Sequence, residues 1–269
     1  MSKQIAFIGA GNMARALIGG LLARDTDARQ LIAADPSADT RAHIEQDFGI
    51  ATASDNRGAV AGADIVVLAV KPQVIDQVAE DIAPALNAGS VVVSVAAGIP
   101  LGRLRRVLGD RQALVRVMPN TPALYRAGAT GMHAPSPCTP KQKAGVQRLF
   151  EAVGRVFPIK DEALMDVVTA VSGSGPAYFF ALAEALAQAG QTAGLDPETA
   201  RELANQTAAG AGTMLAGERI DAGLLRRQVT SPGGTTAAAL AELDQAGFGC
   251  IVQSAVDAAV ARARELGAS

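Results

Sequence analysis

Ile5-Ala6-Phe7-Ile8-Gly9-Ala10-Gly11-Asn12-Met13-Ala14, continued by a helical pattern with Leu17 and Leu21 on the face of Met13, is the stretch that decides the fold. Four apolar residues of strand length stop at a glycine turn, and a helical pattern begins at once. Gly9 makes the turn, and Gly11 lets a pyrophosphate touch the backbone. Ala14, in the place of a third glycine, is small enough for close packing of helix on strand. Free N–H groups and the positive dipole end of such a helix favour a bound phosphate. An ordinary strand-to-helix turn has the same local pattern. Position at the first strand of the chain favours the dinucleotide reading.

Outward from this unit the alternation continues. Leu31–Ala34, Asp64–Val70, Val91–Val95, Leu114–Val117, Gly128–His133 and Val156–Ile159 read as strands. Helical patterns cover Ala38–Phe48, Gln73–Ala83, Leu101–Leu108 and Pro140–Ala152. The run Asp64–Val70 is apolar beyond its first residue, as a parallel strand covered on both faces should be. The pattern predicts an α/β fold with a doubly wound, Rossmann-like parallel sheet. From Asp161 onward alanine-rich helical pattern takes over. Gly194 ends one helix and Asp196-Pro197 starts the next; Asp221–Gln228, Thr235–Ala246 and a last helix to Leu266 follow. Two domains are expected: a dinucleotide-binding domain over residues 1–160 and an all-α domain over residues 161–269. The helical half carries more apolar surface than it buries alone, which implies a second copy of the chain.

Composition excludes several classes. A net charge of −2 over 269 residues gives no electrostatic case for nucleic acid or an anionic membrane. The apolar runs Ile65–Val70 and Val91–Ala97 are too short to span a bilayer. Met1-Ser2-Lys3-Gln4 leads straight into a strand, so a cytoplasmic location is expected. Cys138 and Cys250 match no metal or redox spacing and are read as unpaired thiols. His43 and His133 are the only histidines and are read as surface or packing residues. Neither a zinc site nor a histidine-based triad can be assembled, and no metal is expected.

Ligands in such sheets bind beyond the carboxyl ends of the strands, which directs attention to the loops there. Asp35-Pro36-Ser37 ends the second strand; an acid at this place bonds an adenosine ribose, but the tripeptide is equally good turn chemistry. Ser37 and Asn56 can serve a ribose or its phosphate. Ala69-Val70-Lys71-Pro72-Gln73 and Val95-Ala96-Ala97-Gly98 follow the next two strands, with Lys71 either setting local charge or simply solvated. Arg116-Val117-Met118-Pro119-Asn120-Thr121-Pro122 is stiffened by two prolines, as suits a wall beside a nicotinamide or a rigid connection. In the helical half, Ser172-Gly173-Ser174-Gly175-Pro176-Ala177-Tyr178 and Val229-Thr230-Ser231-Pro232-Gly233-Gly234-Thr235-Thr236 each precede a helix. Glycine-rich helix starts offer N–H groups to an anion such as a carboxylate, or merely initiate helices.

Taken in this order and spacing, these stretches resemble the pyrroline-5-carboxylate reductases over nearly the whole chain. The resemblance rests on residues 9–14, 69–73, 117–122, 172–178 and 231–236, the last two being far more specific than the first. It implies reduction of the ring C=N of 1-pyrroline-5-carboxylate to L-proline, the last step of proline biosynthesis, with NADPH and also NADH as donor. It implies that Gly9, Ala10, Gly11, Asn12, Met13 and Ala14 hold the pyrophosphate and that Asn56 lies near the adenosine ribose. Ala69, Val70, Lys71, Pro72, Val95, Ala96 and Ala97 would line the nicotinamide. Ser231, Gly233, Gly234, Thr235 and Thr236 would hold the substrate carboxylate, Thr236 would bond the ring nitrogen as the catalytic residue, and Glu162 would stand near the substrate. A homodimer through the C-terminal helices, with a decamer as the larger assembly, is implied as well.

Asp35 departs from the Ser or Asn of many relatives, and an acid there repels a 2′-phosphate unless it turns away. Two rivals are weighed. A related cyclic-imine or β-hydroxyacid reductase should carry a Gly-x-x-x-Asn-x-x-Lys helix motif, and none is found. A catalytically inactive NAD(P)-binding regulator should show a damaged substrate loop, whereas residues 231–236 are intact.

Overall fold

The computed structural model describes residues 4–217 and 221–268. Eight strands form one sheet: β1 (Ile5–Ile8), β2 (Leu31–Ala34), β3 (Ala51–Ala53), β4 (Ile65–Leu68), β5 (Val91–Ser94), β6 (Ala113–Met118), β7 (Gly128–His133) and β8 (Gly154–Pro158). Their order is β3-β2-β1-β4-β5-β6-β7-β8. The chain thus winds outward from β1 in one direction and then from β4 in the other, so the reversal falls between these two strands. Ile5 pairs with Leu31 on one side and Ile65 on the other, both in parallel register.

Alternation along these strands fills two cores, one on each face. Ile5 and Phe7 pack with Leu17, Ile18, Val67 and Val93, while Ala6 and Ile8 pack with Val66, Leu68, Ile75 and Ile82. Both faces are covered, which is why β1, β4 and β5 are buried at every residue. Each large side chain removed from water stabilises the sheet by about 1.5–3 kcal/mol. The covering helices are α1 (Asn12–Leu22), α2 (Ala38–Phe48), α3 (Asn56–Val60), α4 (Ile75–Ile82), α5 (Leu101–Leu108) and α6 (Pro140–Glu151). Ser37 and Asp55 start α2 and α3 by accepting backbone N–H groups, and Thr139 starts α6 through a capping box with Gln142.

The expected doubly wound parallel sheet is present, with one antiparallel pair in it. β6 and β7 run antiparallel, with Arg116 opposite His133. Residues 119–127 connect them through a short turn, Thr121–Tyr125, and a parallel return needs a dozen residues or more. Two short elements, β3 and α3, were also missed by periodicity, being three and five residues long. After β8 no further strand occurs among the described residues. There follow α7 (Met165–Val168), α8 (Gly175–Thr192), α9 (Pro197–Leu215), α10 (Ala222–Gln228), α11 (Thr235–Gln245) and α12 (Phe248–Ala268). As expected, Gly194 (φ +107°) follows α8, and the Asp196 side chain accepts Thr199 N–H at 3.0 Å to start α9.

By packing, the chain up to Ser174 together with the segment from Ala259 onward forms one unit, and Gly175–Ala258 forms the other. In the second unit α8 and α9 pack on each other. Phe179, Phe180, Leu186, Leu203 and Ile251 remain exposed on it. So many exposed large apolar side chains fit a helical unit that is completed by another protein surface.

Candidate functional site

At the carboxyl ends of β1, β2 and β4 the loops are stitched together by backbone groups. Gly9 N–H donates to Ala34 O at 2.8 Å and Ala69 N–H donates to Ile8 O at 2.8 Å. Gly9 has φ +89°, and a Cβ there would lie 2.7 Å from Ala69 O and 2.9 Å from Val70 Cγ1. Both backbone angle and space therefore demand glycine. Gly11 is different: it is exposed, and a Cβ would meet nothing within 4 Å. It occupies the N-cap of α1 with no side-chain cap and no acid in the first turn. The first N–H groups of α1 thus face an open, positively polarised recess, which suits a phosphate. Asn12 is exposed there, Met13 half-buried, and Ala10 and Ala14 are buried beneath.

Asp35 binds this turn directly. Its Oδ2 accepts Ala10 N–H and its Oδ1 accepts Ser37 N–H, both at 3.0 Å. The Ser37 hydroxyl accepts Thr40 N–H at 3.2 Å, and the Arg41 guanidinium donates to the carbonyls of Asp35 and Pro36. Beside the turn lies a cleft of about 470 Å³ lined by Ala10, Gly11, Asn12, Arg15, Thr40, His43 and Asp47. Arg15 pairs with Asp47 and lies over the Phe48 ring, 5.4 Å from its centre. His43, read as a surface residue, and Arg15 and Thr40, which sequence reading passed over, line this cleft. The signal for Arg15 was its place one turn into a helix whose open start suits a phosphate. Asn56 opens α3, and its side-chain amide donates to Asp81 at 3.1 Å. A larger cavity, about 770 Å³, lies at the opposite, amino ends of β4–β6 beside Arg111 and Gln142, away from these loops.

Lys71 is exposed and Pro72 opens a short turn after β4. After β5, Val95 and Ala97 are half-buried and Ala96 is buried. Gly98 takes φ +77°, and a Cβ there would lie 3.1 Å from both Ala263 O and Leu266 Cβ, in the last turns of α12. Leu101 begins α5, and its N–H donates to Glu162 Oε1 at 2.6 Å. The same oxygen lies 3.5 Å from Arg116, whose guanidinium also reaches Asp166 at 2.9 Å. Arg116 is only 6% exposed, and the two carboxylates beside it are half-buried. Its sequence signal was an arginine inside the apolar run Ala113–Met118.

The loop after β6 is rigid for a reason beyond its prolines. Asn120 donates through Nδ2 to Ser172 O and accepts Ala129 N–H through Oδ1, both at 2.9 Å. Ser172 and Gly173 lie within a π-helical turn, Thr169–Gly173, and Ser174 N–H is bonded to Thr169 O. This first half of the 172–178 stretch is helical rather than an open anion-binding loop. A Cβ on Gly173 would lie 2.6 Å from Met118 Cε, so the glycine serves packing.

In the second unit, Ser231–Gly234 forms a turn in which Gly234 N–H donates to Ser231 O at 3.1 Å and Gly233 takes φ +71°. Gly234 is the N-cap of α11, with no side-chain cap and no acid in the first turn. Thr235 and Thr236 are the first two helical residues, the former exposed and the latter half-buried. This is a second helix start suited to an anion, and Ser231 and Gly233 on its rim are exposed. Among the described residues no group of three or more His, Cys, Asp or Glu side chains could hold a metal. No helix there is long and apolar enough to cross a membrane. Burial raises the Cys138 thiol pKa above its ordinary range, which disfavours the thiolate.

Comparison with known proteins agrees with these features. Residues 162–266 match the family described as pyrroline-5-carboxylate reductase dimerisation, and residues 4–98 match NADP oxidoreductase coenzyme F420-dependent. The chain is 49% identical to a pyrroline-5-carboxylate reductase of Pseudomonas aeruginosa, over 98% of this chain and 97% of that protein. It is 44% identical to that of Vibrio alginolyticus over the same shares. The structure resembles a pyrroline-5-carboxylate reductase from Coxiella burnetii with a TM-score of 0.94, at 38% identity and 99% coverage of both chains. It also resembles a Plasmodium falciparum pyrroline carboxylate reductase with NADP bound, with a TM-score of 0.85, 31% identity and 98% coverage of both. A sheet that leaves the α1 helix start open to phosphate, joined to a helical half that matches the dimerisation family, places this chain in the pyrroline-5-carboxylate reductase family.

Proposed function

We propose that the chain reduces 1-pyrroline-5-carboxylate to L-proline with a nicotinamide dinucleotide as donor. The observation that carries this is the pairing, in one chain of this family, of an open phosphate turn at Gly9–Gly11 with an uncapped carboxylate-type helix start at Gly234. Residues 9–14 hold the pyrophosphate through the α1 amides. Asp35, Ser37 and Asn56 border the adenosine ribose, and Ala69–Pro72 with Val95–Ala97 wall the nicotinamide. Ser231, Gly233, Gly234 and Thr235 hold the substrate carboxylate at the start of α11, and Thr236 bonds the ring nitrogen. The bound nicotinamide supplies hydride to the imine carbon. A protonated imine is already electrophilic, so the chain's own task is to position it and exclude water.

NADPH is the preferred donor and NADH is also accepted. Two backbone N–H groups engage the Asp35 carboxylate, and the Arg41 guanidinium, on the carbonyls of Asp35 and Pro36, adds positive charge beside it. The chain acts as a homodimer through its second unit, with a decamer as the larger assembly, in the cytoplasm. The apolar surface around Phe179, Phe180 and Leu186 supports the dimer. Steady-state oxidation of NADPH and of NADH with pyrroline-5-carboxylate tests the assignment. Turnover with a higher kcat/KM for NADPH is expected; saturable cofactor binding without turnover on either would overturn it.

A further inference from the structure

The loop from Val95 to Pro100 is held at more points than a connection of its length requires. Val95 N–H donates to Leu68 O at 3.2 Å and Ala96 N–H donates to the Ser94 hydroxyl at 3.3 Å, fixing its start to the sheet. In its middle, Gly98 takes φ +77° and lies tightly against the last turns of α12, where a Cβ would come within 3.1 Å of Ala263 O and Leu266 Cβ. At its end, Pro100 is the N-cap of α5 and supplies no side-chain cap. Glu162 supplies the missing acceptor from 61 residues away in sequence.

We propose that Glu162 is a positioning residue for the reaction: with the last turns of α12, it holds the Val95–Pro100 loop at the depth where the loop meets the nicotinamide. The inference rests on the assignment of that loop as the nicotinamide wall. The carboxylate is well placed for this work. Arg116 is buried on β6, beside Ser94 of β5 and His133 of β7, and it pins both Glu162 and Asp166. Two carboxylates carry one charge more than Arg116 neutralises, and the positive end of α5 faces the remainder. A half-buried acid that is paired with a buried guanidinium and bonded to a backbone amide is held in one geometry by both partners. The amide it fixes belongs to the residue directly after the loop. Because the start of the loop is tied to β4 and β5, a displacement at Leu101 is taken up by the few residues between, from Ala97 to Pro100, and so reaches the nicotinamide wall at Ala97.

Glu162→Ala, Glu162→Gln and Gly98→Ala in the full-length enzyme test this by steady-state kinetics and by hydrogen exchange of residues 95–102. Wild-type turnover is measured first. Its absence refutes the assigned reaction, while exchange at Leu101 still decides whether Glu162 holds the loop. Glu162→Ala should lower kcat by about 10- to 100-fold and leave KM for the imine within about threefold. The Leu101 amide should exchange at least about tenfold faster in this variant. Glu162→Gln keeps an oxygen for Leu101 N–H and should restore protection and most of kcat. Gly98→Ala leaves Glu162 intact and should lower kcat in the same way, which keeps the test open if Glu162→Ala fails to fold. A rise of tenfold or more in KM at unchanged kcat and unchanged exchange would make Glu162 a direct substrate ligand and overturn the proposal. Unchanged kcat and unchanged exchange in Glu162→Ala would also overturn it.

Discussion

The Asp35 carboxylate accepts the Ala10 N–H at 3.0 Å, tying the end of β2 to the Gly9–Gly11 turn 25 residues earlier. The acid that ought to repel a 2′-phosphate thus also shapes the turn proposed to hold the pyrophosphate. Its second oxygen, on Ser37 N–H, keeps the carboxylate against backbone rather than free.

Asp35→Asn separates the two roles, because the amide oxygen can still accept one N–H while the charge is gone. The ratio of kcat/KM for NADPH over NADH should rise by roughly three- to tenfold, as expected for a partly exposed like-charge contact of about 1 kcal/mol. An unchanged ratio in steady-state assays would show that Asp35 has no part in cofactor choice.

Thr236 is the second residue of α11, beside amides that no side chain caps. Thr236→Ser keeps the hydroxyl and should retain nearly full kcat. Thr236→Val keeps shape but not the hydrogen bond, and should lose about tenfold or more in kcat/KM. Equal activity of Thr236→Val and wild type would remove the hydroxyl from the reaction.

Gly154 opens β8 where its backbone meets that of Gly128 on β7, and a Cβ at Gly154 would fall on the Gly128 carbonyl. Neither strand can yield, since Gly128 N–H is bonded to Val153 O at 2.9 Å. Gly154→Ala should destabilise the first unit by about 3 kcal/mol, a fall in Tm of roughly 10 °C by calorimetry. An unchanged Tm would mean that β8 can shift freely on β7.

Thr130 is fully buried on β7, and its hydroxyl has no hydrogen-bond partner among the described residues. Thr130→Val replaces that hydroxyl by a methyl group of similar size. It should be neutral to stabilising by about 1 kcal/mol, raising Tm by roughly 2–4 °C. A clear loss of stability in thermal unfolding would point to a partner for the hydroxyl.

Much of this organisation is written locally. The runs Ile5–Ile8, Leu31–Ala34 and Gly128–His133 and the helices Ala38–Phe48 and Leu101–Leu108 were legible as sequence because each rests on its own periodicity and end signals. The Gly9–Gly11 turn was legible for the same reason: the apolar strand run stops at it and the helical pattern begins at once. Sequence by itself therefore determined the strand–helix alternation, the change to helices after β8, and the two helix starts open to anions. Tertiary structure decided what periodicity cannot encode. It set the antiparallel turn of β7, because a short connection limits the return path whatever the strands contain. It brought Arg116 to Glu162 and Asp166, and Gly98 to the end of α12, because partners so distant in sequence meet only through sheet register and helix packing. It also gave Asp35 a backbone partner, since a carboxylate at a strand end takes whichever N–H groups the neighbouring loop presents.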